Sequence, residues 1–443
     1  MTDMTQYRIQ AQSAAGLVRS IEGAVADGRL MPGQPLPSVR RLAQEVSLSP
    51  ATVSAGLAEL RRRGVVVSEQ RRGTRIGEGP PIGSPRPALP VPAGARDLSR
   101  GNPDPAFLPD LARAISRLRL PARLYGEDPL HHGLGGLARE RLQADGLCGD
   151  ALCVVSGALD GIERVLQART RAGDRIAVEN PGYAALYDLL RAQGLVLEPV
   201  AVDDRGMLPQ QLQAALARGA SAVIITPRGQ NPTGAALDAA RAQDLRAVLD
   251  AFPRALVIED DHLGTIACSE LYTIAPGRER WAATRSVAKA LGPDLRLAVL
   301  TGDALTLARV QGRQQCGPGW VSHVLQALVY SLWSDPEVEA QIEQARAIYA
   351  RRRETLLGHL RRMGVQAHGV SGLNVWVPVA DEAAVVAALM QRGWVVASGA
   401  PYRLGASAPA IRITTATLED TEAPRLAGDL AEVLASVGAS RSG

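Results

Sequence analysis

A stretch rich in proline and glycine, residues 77–97 (GEGPPIGSPRPALPVPAGARD), divides this chain into a short front part and a long back part. Such a composition offers few side chains to bury and is typical of a semi-extended linker. With 443 residues, the chain is also too long for one ordinary domain. We therefore expect one small domain over residues 1–76 and a separate, larger domain over residues 98–443.

Charge is distributed unevenly between the two parts. Residues 1–76 contain eleven Arg and six Asp or Glu, a net charge of +5, whereas the whole chain carries +4. The front part is therefore the candidate for binding nucleic acid, and the back part is not. No apolar run approaches the roughly 18 residues of a membrane helix, and the polar residues 1–12 do not form a signal peptide. The four cysteines have no metal-binding spacing, so we expect buried thiols, no metal site and a cytoplasmic protein.

The front part has the pattern of three short helices followed by a hairpin. Ser38 can cap the second helix, and Ser49-Pro50 gives an N-cap followed by proline at the first position of the third. The apolar run 65–67 and residues 74–76 predict two short strands with an arginine pair at the turn between them. This order is typical of a winged helix-turn-helix, whose third helix enters the major groove while the hairpin contacts the DNA backbone or minor groove.

The string GRLMPGQPLPSVRRLAQEVSLSPATVSAGLAELRRRGVVV resembles the GntR family of bacterial regulators, and the match covers nearly all of residues 5–76. The resemblance implies that double-stranded DNA is contacted by residues at the starts of the second and third helices and in the wing: Ser38, Arg40, Ser49, Thr52, Arg72 and Gly73. GntR proteins often carry Arg at the positions of Pro50 and Ser54, so base readout differs here and phosphate contacts can dominate. The alternative is that these polar residues only cap helices.

In the back part, apolar strands alternate with helical patterns, which predicts an α/β domain with a largely parallel sheet. We predict strands at residues 152–155, 175–178, 222–226, 255–259 and 295–300. Helix and strand patterns alternate again from about residue 351, which predicts a smaller subdomain over residues 351–443.

The only lysine of the chain, Lys289, is accompanied by 48 arginines. A bias of composition towards arginine explains the loss of other lysines, but a guanidinium cannot replace an amine that must lose its proton and attack a carbonyl. Lys289 is therefore a candidate nucleophile, with Ser286 three residues before it and Arg296 seven residues after it. A hydroxyl and a guanidinium beside an amine can hold the phosphate of a lysine-bound cofactor. The S-x-x-K spacing alone also occurs in serine hydrolases.

This lysine segment resembles that of fold-type I aminotransferases, which use pyridoxal 5′-phosphate (PLP), and four further segments match that family in the expected order. The resemblance implies that Lys289 forms the Schiff base with PLP and that Ser286 and Arg296 bind its phosphate. It also assigns cofactor contacts to a helix N-terminus, a stacking tyrosine, an N-P-T-G asparagine and a strand-end aspartate: Ser156, Gly157, Ala158, Leu159, Tyr183, Asn231 and Asp260. The structural alternatives are a core position for the tyrosine, a turn for the asparagine and a helix cap for the aspartate.

Three more positions bear on the same resemblance. Tyr125 matches the tyrosine that reaches the phosphate in the neighbouring subunit, which implies a dimer. Arg412 matches the arginine that grips the α-carboxylate of a substrate, although a structural ion pair is an alternative. His262 stands where most relatives carry a tyrosine that hydrogen-bonds the phenolate oxygen of PLP. Because histidine titrates near neutral pH, we expect this change to weaken transamination more than cofactor binding.

A GntR-like winged helix, a linker and an aminotransferase-like domain in this order resemble the MocR subfamily of bacterial transcription regulators over essentially the whole chain. The resemblance implies a head-to-tail homodimer that binds DNA and senses PLP, an amino acid or an amine through an aldimine at Lys289. One alternative is a working aminotransferase with an accessory DNA-binding module; His262 and the intact winged helix favour the regulator. The other is a DNA-binding protein with a relict, PLP-free domain, which the retained Ser286 and Arg296 disfavour.

Overall fold

The computed structural model describes residues 9–62, 64–69, 73–77, 91–147, 151–405 and 407–439. The chain divides into two compact units. The first contains Met1–Arg86 with the segments Thr170–Arg175 and Tyr187–Leu197, and the second contains Pro87–Arg169, Ile176–Leu186 and Glu198–Gly443. Among the helices of the described residues, none combines the length and the apolar character needed to cross a membrane.

The winged helix forms as the sequence predicts. Its elements are α1 (Ala14–Ala26), α2 (Val39–Glu45), α3 (Pro50–Arg62), β1 (Val66–Glu69) and β2 (Gly73–Ile76). Ser38 caps α2, and the Ser49 hydroxyl accepts a hydrogen bond from the backbone N–H of Thr52, which satisfies a donor of the first turn of α3. The strands pair antiparallel, with Val66 opposite Ile76, and both side chains are buried in the small core. The tip of the wing, including Arg72, lies outside the described residues.

The short strand β3 (Arg96–Asp97) lies outside the large sheet. The strands of the large sheet are β4 (Ala151–Val155), β5 (Arg175–Asn180), β6 (Val196–Asp203), β7 (Gly206–Met207), β8 (Ala220–Ile225), β9 (Leu256–Asp261), β10 (Trp281–Ser286) and β11 (Ala298–Gly302). They lie in the order β4-β11-β10-β9-β8-β5-β6-β7. The central strands are apolar and buried on both faces, as for Val223, Ile225 and Val257, which is why continuous apolar runs predicted them.

The α/β class is confirmed, but the sheet is mixed rather than largely parallel. β9 pairs parallel with β8 and β10, whereas β11 pairs antiparallel with both β10 and β4, and β7 pairs antiparallel with β6. Residues 287–297 join β10 to β11, and so short a link cannot make the crossover that parallel strands need. β11 also begins at Ala298, three residues later than the strand that we predicted at 295–300. The link between β10 and β11 contains Lys289.

Helices cover the faces of the large sheet, as expected for an α/β domain. They are α4 (Leu111–Ser116), α5 (His132–Ala144), α6 (Ala158–Arg169), α7 (Ala184–Ala192), α8 (Pro209–Ala217), α9 (Ala239–Asp250), α10 (Ala288–Leu291), α11 (Ala304–Gln315) and α12 (His323–Trp333). Only two residues separate the end of β4 from the start of α6, so the turn between them brings a helix N-terminus to the carboxyl end of the strand.

The C-terminal part forms a second core. Its elements are α13 (Pro336–Arg362), β12 (Asn374–Pro378), α14 (Glu382–Gln391), β13 (Trp394–Val395), β14 (Ala397–Ser398), β15 (Ala410–Thr414) and α15 (Ala423–Ala439). The first half of α13 packs on the large core through Tyr349, and its second half packs on the C-terminal core through Leu356. β3 pairs with β13. The first strand of the large C-terminal domain therefore begins at Arg96, inside the segment 77–97 that we predicted as linker.

Candidate functional site

The predicted cofactor residues come together at the carboxyl-terminal edge of the large sheet. Ser156 follows β4, Asp260 lies near the end of β9 and Ser286 ends β10, while Tyr183 and Asn231 lie in the turns after β5 and β8. Open α/β sheets place ligands at this edge because the loops there converge. Burial and the nearby Asp260 carboxyl raise the pKa of Tyr183.

The turn between β4 and α6 forms a cradle that a side chain would fill. Gly157 has a φ of +104°, and a Cβ on it would lie 2.6 Å from Nη2 of Arg296. The Ser286 hydroxyl accepts a hydrogen bond from Ala288 N at 3.2 Å, so its own proton is free to donate. Arg296 makes no ion pair with any residue that the structure describes. A helix N-terminus, a hydroxyl and an uncompensated guanidinium fit a phosphate group.

Sequence reasoning missed Asp160 in this turn. Its carboxylate accepts a hydrogen bond from the backbone N–H of Ser156 at 2.8 Å and also pairs with Arg164. Asp160 therefore holds the turn in place from the protein side. The residues left to face a phosphate are the Ser156 hydroxyl and the start of α6, where we predicted contacts from Gly157, Ala158 and Leu159.

Asp260 is a buried carboxyl without a cationic partner among the described residues. It is 5% exposed and receives one hydrogen bond, from the Thr284 hydroxyl at 3.2 Å. Burial, with a smaller contribution from the charge of Asp261, raises its pKa to about 7. A protonated ring nitrogen beside this carboxyl would favour its charged form, so Asp260 fits the pyridine end of PLP.

Asp261, the next residue, lies in a closed network of charges. Arg228 donates to both of its carboxylate oxygens, at 2.9 and 3.0 Å, and Arg285 donates to it at 2.8 Å and also to Asp145. Burial alone would raise the pKa of Asp261, but these two guanidinium groups hold it well below its usual range. Sequence reasoning missed Arg228 and Asp145, because no motif links such distant positions.

Lys289 lies deep in the site, where its Nζ donates a hydrogen bond to the carbonyl of Gly101 at 2.6 Å. Burial and the charge of Arg412 lower its pKa to about 8, which makes the neutral, nucleophilic amine accessible near physiological pH. Burial and the charge of Lys289 lower the pKa of His262 to about 4. This low pKa favours the neutral form of His262 and differs from our expectation that it titrates near neutral pH.

Arg412 is 4% exposed, and its contacts come from groups without a full negative charge. It donates to the side-chain oxygen of Asn231 at 3.1 Å and to the carbonyl of Ser99, and the ring of Tyr402 lies 4.9 Å from its guanidinium carbon. Its Nε has no hydrogen-bond partner, and no carboxylate of the described residues pairs with it. This argues against a structural ion pair and fits a site for a ligand carboxylate.

Asn231 keeps its amide N–H groups available because its oxygen is taken by Arg412. It can therefore donate to a phenolate oxygen, as the resemblance implies. Sequence reasoning missed Ser99 and Gly101, which act through backbone carbonyls, and Tyr402, which lies in a short 3₁₀ turn with no recognisable motif. Backbone groups leave no residue-type signal, so the sequence offered no way to find the first two.

The predicted DNA-contacting residues lie at the predicted helix starts. Ser38 and Arg40 are exposed at the start of α2, and Ser49 is exposed before α3. The hydroxyls of Ser49 and Thr52 lie 2.8 Å apart and hydrogen-bond each other. Gly73 opens β2 with a φ of +79°. Capping and DNA contact are compatible here, because a hydroxyl that accepts from the backbone can still contact a phosphate.

Tyr125 does not reach the site of its own chain. Its ring is 93% exposed and packs edge-on against Trp320, with ring centroids 5.7 Å apart. The neighbouring Leu124 is 72% exposed.

Comparison with known proteins decides the family. The family described as "Bacterial regulatory proteins, gntR family" matches residues 14–76, and "Aminotransferase class I and II" matches residues 147–430. The vitamin B6 salvage pathway transcriptional repressor PtsJ of Salmonella typhimurium is 38% identical over 433 residues, which cover 96% of this chain and 99% of that protein. The chain belongs to the MocR-type GntR regulators. It is a transcription regulator that combines a DNA-binding winged helix with an aminotransferase-like domain.

Two further comparisons agree with this assignment. The pyridoxine biosynthesis transcriptional regulator PdxR of Corynebacterium glutamicum is 32% identical over 261 residues, 55% of each chain. The structure of a kynurenine aminotransferase from Pyrococcus horikoshii matches with a TM-score of 0.71 at 20% identity, over 78% of this chain and 92% of that one. The similarity to this solved structure confirms the fold-type I aminotransferase fold. It does not show which activity, if any, this chain has.

Proposed function

We propose that this MocR-type regulator binds PLP at Lys289 and adjusts its hold on DNA to the supply of vitamin B6. The observation that carries the proposal is the set of charged groups facing one site without a counter-charge among the described residues: Asp260, Lys289, Arg296 and Arg412. These groups correspond to the pyridine nitrogen, aldehyde and phosphate of PLP and to the carboxylate of an amino compound.

The chain's own residues provide the binding chemistry. Bound PLP supplies an aldehyde that a lysine amine can capture. Ser156, Ser286 and Arg296 would hold its phosphate, while Asp260 would accept the proton of the ring nitrogen. Tyr183 would lie against the ring, and the neutral His262 would contribute an uncharged hydrogen bond near Lys289.

PLP itself is the effector that we favour. Two relatives carry names that refer to vitamin B6 salvage and pyridoxine biosynthesis, and one of them matches nearly the whole chain. The free Nε of Arg412 supports an amino acid as a second ligand, since its carboxylate could take this donor. An amine without a carboxylate would leave that donor unused.

We also propose a homodimer in which Tyr125 completes the phosphate site of the partner subunit. The support is that Tyr125 and Leu124 are both exposed to solvent in the single chain. Neighbouring exposed apolar side chains of this kind favour a surface that is covered by a partner. Replacing Tyr125 with Phe removes only the hydroxyl, so PLP affinity should fall while the dimer persists in analytical ultracentrifugation. Unchanged PLP affinity would remove this role.

The decisive experiment measures DNA affinity with and without PLP at fixed salt, in the wild type and in Lys289→Ala. Lys289→Arg is a matched control, because it keeps the positive charge but cannot capture an aldehyde. We expect PLP to change the DNA affinity of the wild type and to leave the DNA affinity of both variants unchanged. The absorbance of lysine-bound PLP should be absent in both variants. Equal DNA affinity of the wild type with and without PLP would contradict the proposal.

A working aminotransferase is the second candidate. The presence of Lys289, Asp260, Asn231 and Arg412 in one site favours it, because these groups also suffice to bind an amino acid and PLP together. Steady turnover of an amino acid with a keto acid, at about 10 s⁻¹ as in ordinary enzymes, would support the enzyme. Ligand-dependent DNA binding without turnover would support the regulator.

A further inference from the structure

A second pocket lies at the opposite edge of the large sheet. It has a volume of about 440 Å³ and is lined where β8 and β9 begin and just before β10, by residues that include Arg169, Phe252, Arg254, Leu256 and Arg280. Along β9, Asp260 lies four positions after Leu256, which corresponds to roughly 13 Å. The pocket is therefore distinct from the Lys289 site.

Positive charge in this pocket exceeds the negative charge near it. The guanidinium of Arg254 has no ion pair with the residues that the structure describes, and that of Arg280 bonds only to the Arg254 carbonyl, at 3.3 Å. Arg169 is paired with Asp303 at 2.9 Å. Burial lowers the pKa of Arg169, and the charges of Arg309 and Arg280 lower it further. An anion bound between these guanidiniums would relieve their repulsion.

The pocket also offers apolar surface beside the charges. Phe252, Pro253 and Leu256 form part of its lining together with two alanines. Phe252 is one of only two phenylalanines in the chain. Small-molecule sites combine such apolar walls with a few convergent polar groups, and 440 Å³ lies within their usual range of about 300–1,000 Å³. A planar ring can stack on a guanidinium or on Phe252 while its anionic group accepts hydrogen bonds from the guanidinium groups of the arginines.

We propose that this pocket binds a small aromatic anion, an aryl phosphate or aryl carboxylate, independently of Lys289. Arg254 and Arg280 are exposed, but the concave shape and the apolar wall with Phe252 favour such a ligand over the backbone of DNA, whose binding rests on charge and gains nothing from an apolar wall. A regulator with this pocket would have a second input besides the ligand at Lys289.

The test uses the full-length protein with PLP fixed to Lys289 by borohydride reduction, so that the first site is blocked. Phenyl phosphate, benzoate and inorganic phosphate are titrated at constant ionic strength by calorimetry. We expect one aryl anion per chain, and the stronger of the two aryl probes identifies phosphate or carboxylate as the preferred group. Inorganic phosphate should bind at least tenfold more weakly, because it lacks the ring.

Two variants locate the binding. Arg254→Ser combined with Arg280→Ser should weaken the aryl anion at least tenfold, and Phe252→Leu should weaken it while leaving inorganic phosphate unchanged. The matched control replaces two exposed, ion-paired arginines elsewhere, Arg346→Ser with Arg351→Ser, and should change nothing. Thermal unfolding checks that each variant folds.

Three outcomes would overturn the proposal. In the first, none of the probes binds. In the second, the control variant weakens binding as much as the pocket variant, which indicates that the probes respond to the overall charge of the protein and not to the pocket. In the third, the pocket variant leaves aryl binding intact but lowers DNA affinity and its salt dependence, which assigns the arginines to DNA phosphates. None of these outcomes affects the function proposed for the Lys289 site, because no residue of that site lines the pocket.

Discussion

The end of β9 separates two regions that treat charge in opposite ways. On one side, Asp261 is enclosed by Arg228 and Arg285, and Asp145 completes a network in which each charge has a counter-charge. On the other side, Asp260 is buried, and in the part of the chain that the structure describes its one hydrogen-bond partner is a hydroxyl. Successive residues of a strand point to opposite faces, so two adjacent aspartates can serve these two regions. The charges of the closed network neutralise one another, whereas on the open side, under the proposed function, a ligand would supply the missing charges.

The largest expected effect comes from opening the closed network. In Asp261→Asn, the buried guanidiniums of Arg228 and Arg285 lose the carboxylate that neutralises them. Breaking a buried ion pair by removing one partner costs about 3–5 kcal/mol of folding free energy. We expect a large fall in the midpoint of thermal unfolding, measured by circular dichroism on PLP-free protein.

Asp260→Asn is the matched control for stability and should behave in the opposite way. With a raised pKa, the folded state keeps a proton that the unfolded carboxyl releases above its ordinary value of 3.8. The contribution of Asp260 to the free energy of unfolding therefore falls as pH rises from about 4 to about 7, and the amide does not undergo this loss. We expect PLP-free Asp260→Asn to equal the wild type near pH 4 and to exceed it above pH 7. If both aspartate variants lose the same stability, the distinction between the two regions is wrong.

The second largest effect concerns PLP affinity. Asp260→Asn removes the carboxylate that would pair with the ring nitrogen, and hydrogen bonds to charged groups contribute about 1.5–3 kcal/mol, or roughly 10–100-fold in affinity. Fluorescence or absorbance titration of PLP measures this loss. A variant that binds PLP as tightly as the wild type would show that the open side does not face the ring.

The contrast also explains which parts the sequence could predict. The helices of the winged domain follow from local signals, such as the Ser38 cap and Ser49-Pro50, and all three were predicted. The central strands follow from their continuous apolar runs. The direction of β11 could not be read in this way, because strand direction depends on the path of residues 287–297 and not on local composition.

The sequence predicted those residues of the candidate site that stand in a short, characteristic motif. It did not predict residues that meet only because the fold brings distant positions together. Lys289, Asp260 and Asn231 each stand in a short, informative string. Asp145 meets Arg285 across 140 positions of sequence, and no short pattern encodes such a contact. The low pKa of His262 likewise depends on burial, which the sequence around it does not express.

A smaller effect is expected at the cradle on the open side. In Gly157→Ala, the new Cβ would lie 2.6 Å from Nη2 of Arg296 and would have to adopt a φ of +104°. The guanidinium must move away from the phosphate position, so PLP should dissociate faster, by about tenfold for a cost near 1.4 kcal/mol. Gly136→Ala, at a helix position where a Cβ meets nothing within 4 Å, is the control and should leave dissociation unchanged. Equal dissociation rates in the two variants would exclude Arg296 from the phosphate site.

The smallest expected effect tests whether the charge of Arg412 on the open side lowers the pKa of Lys289. Burial and the charge of Arg412 lower the pKa of Lys289 to about 8, so PLP capture by the neutral amine should accelerate with pH and level off above about pH 8. Arg412→Gln removes that charge and should move the midpoint upward by about half a pH unit, which slows capture near pH 7 about threefold. Stopped-flow absorbance measures the rates, with the exposed Arg346→Gln as control. Because Arg412 also binds Asn231, the midpoint and not the absolute rate is the informative quantity. An unmoved midpoint would mean that burial alone sets the reactivity of Lys289, and that the open side is a set of independent charges.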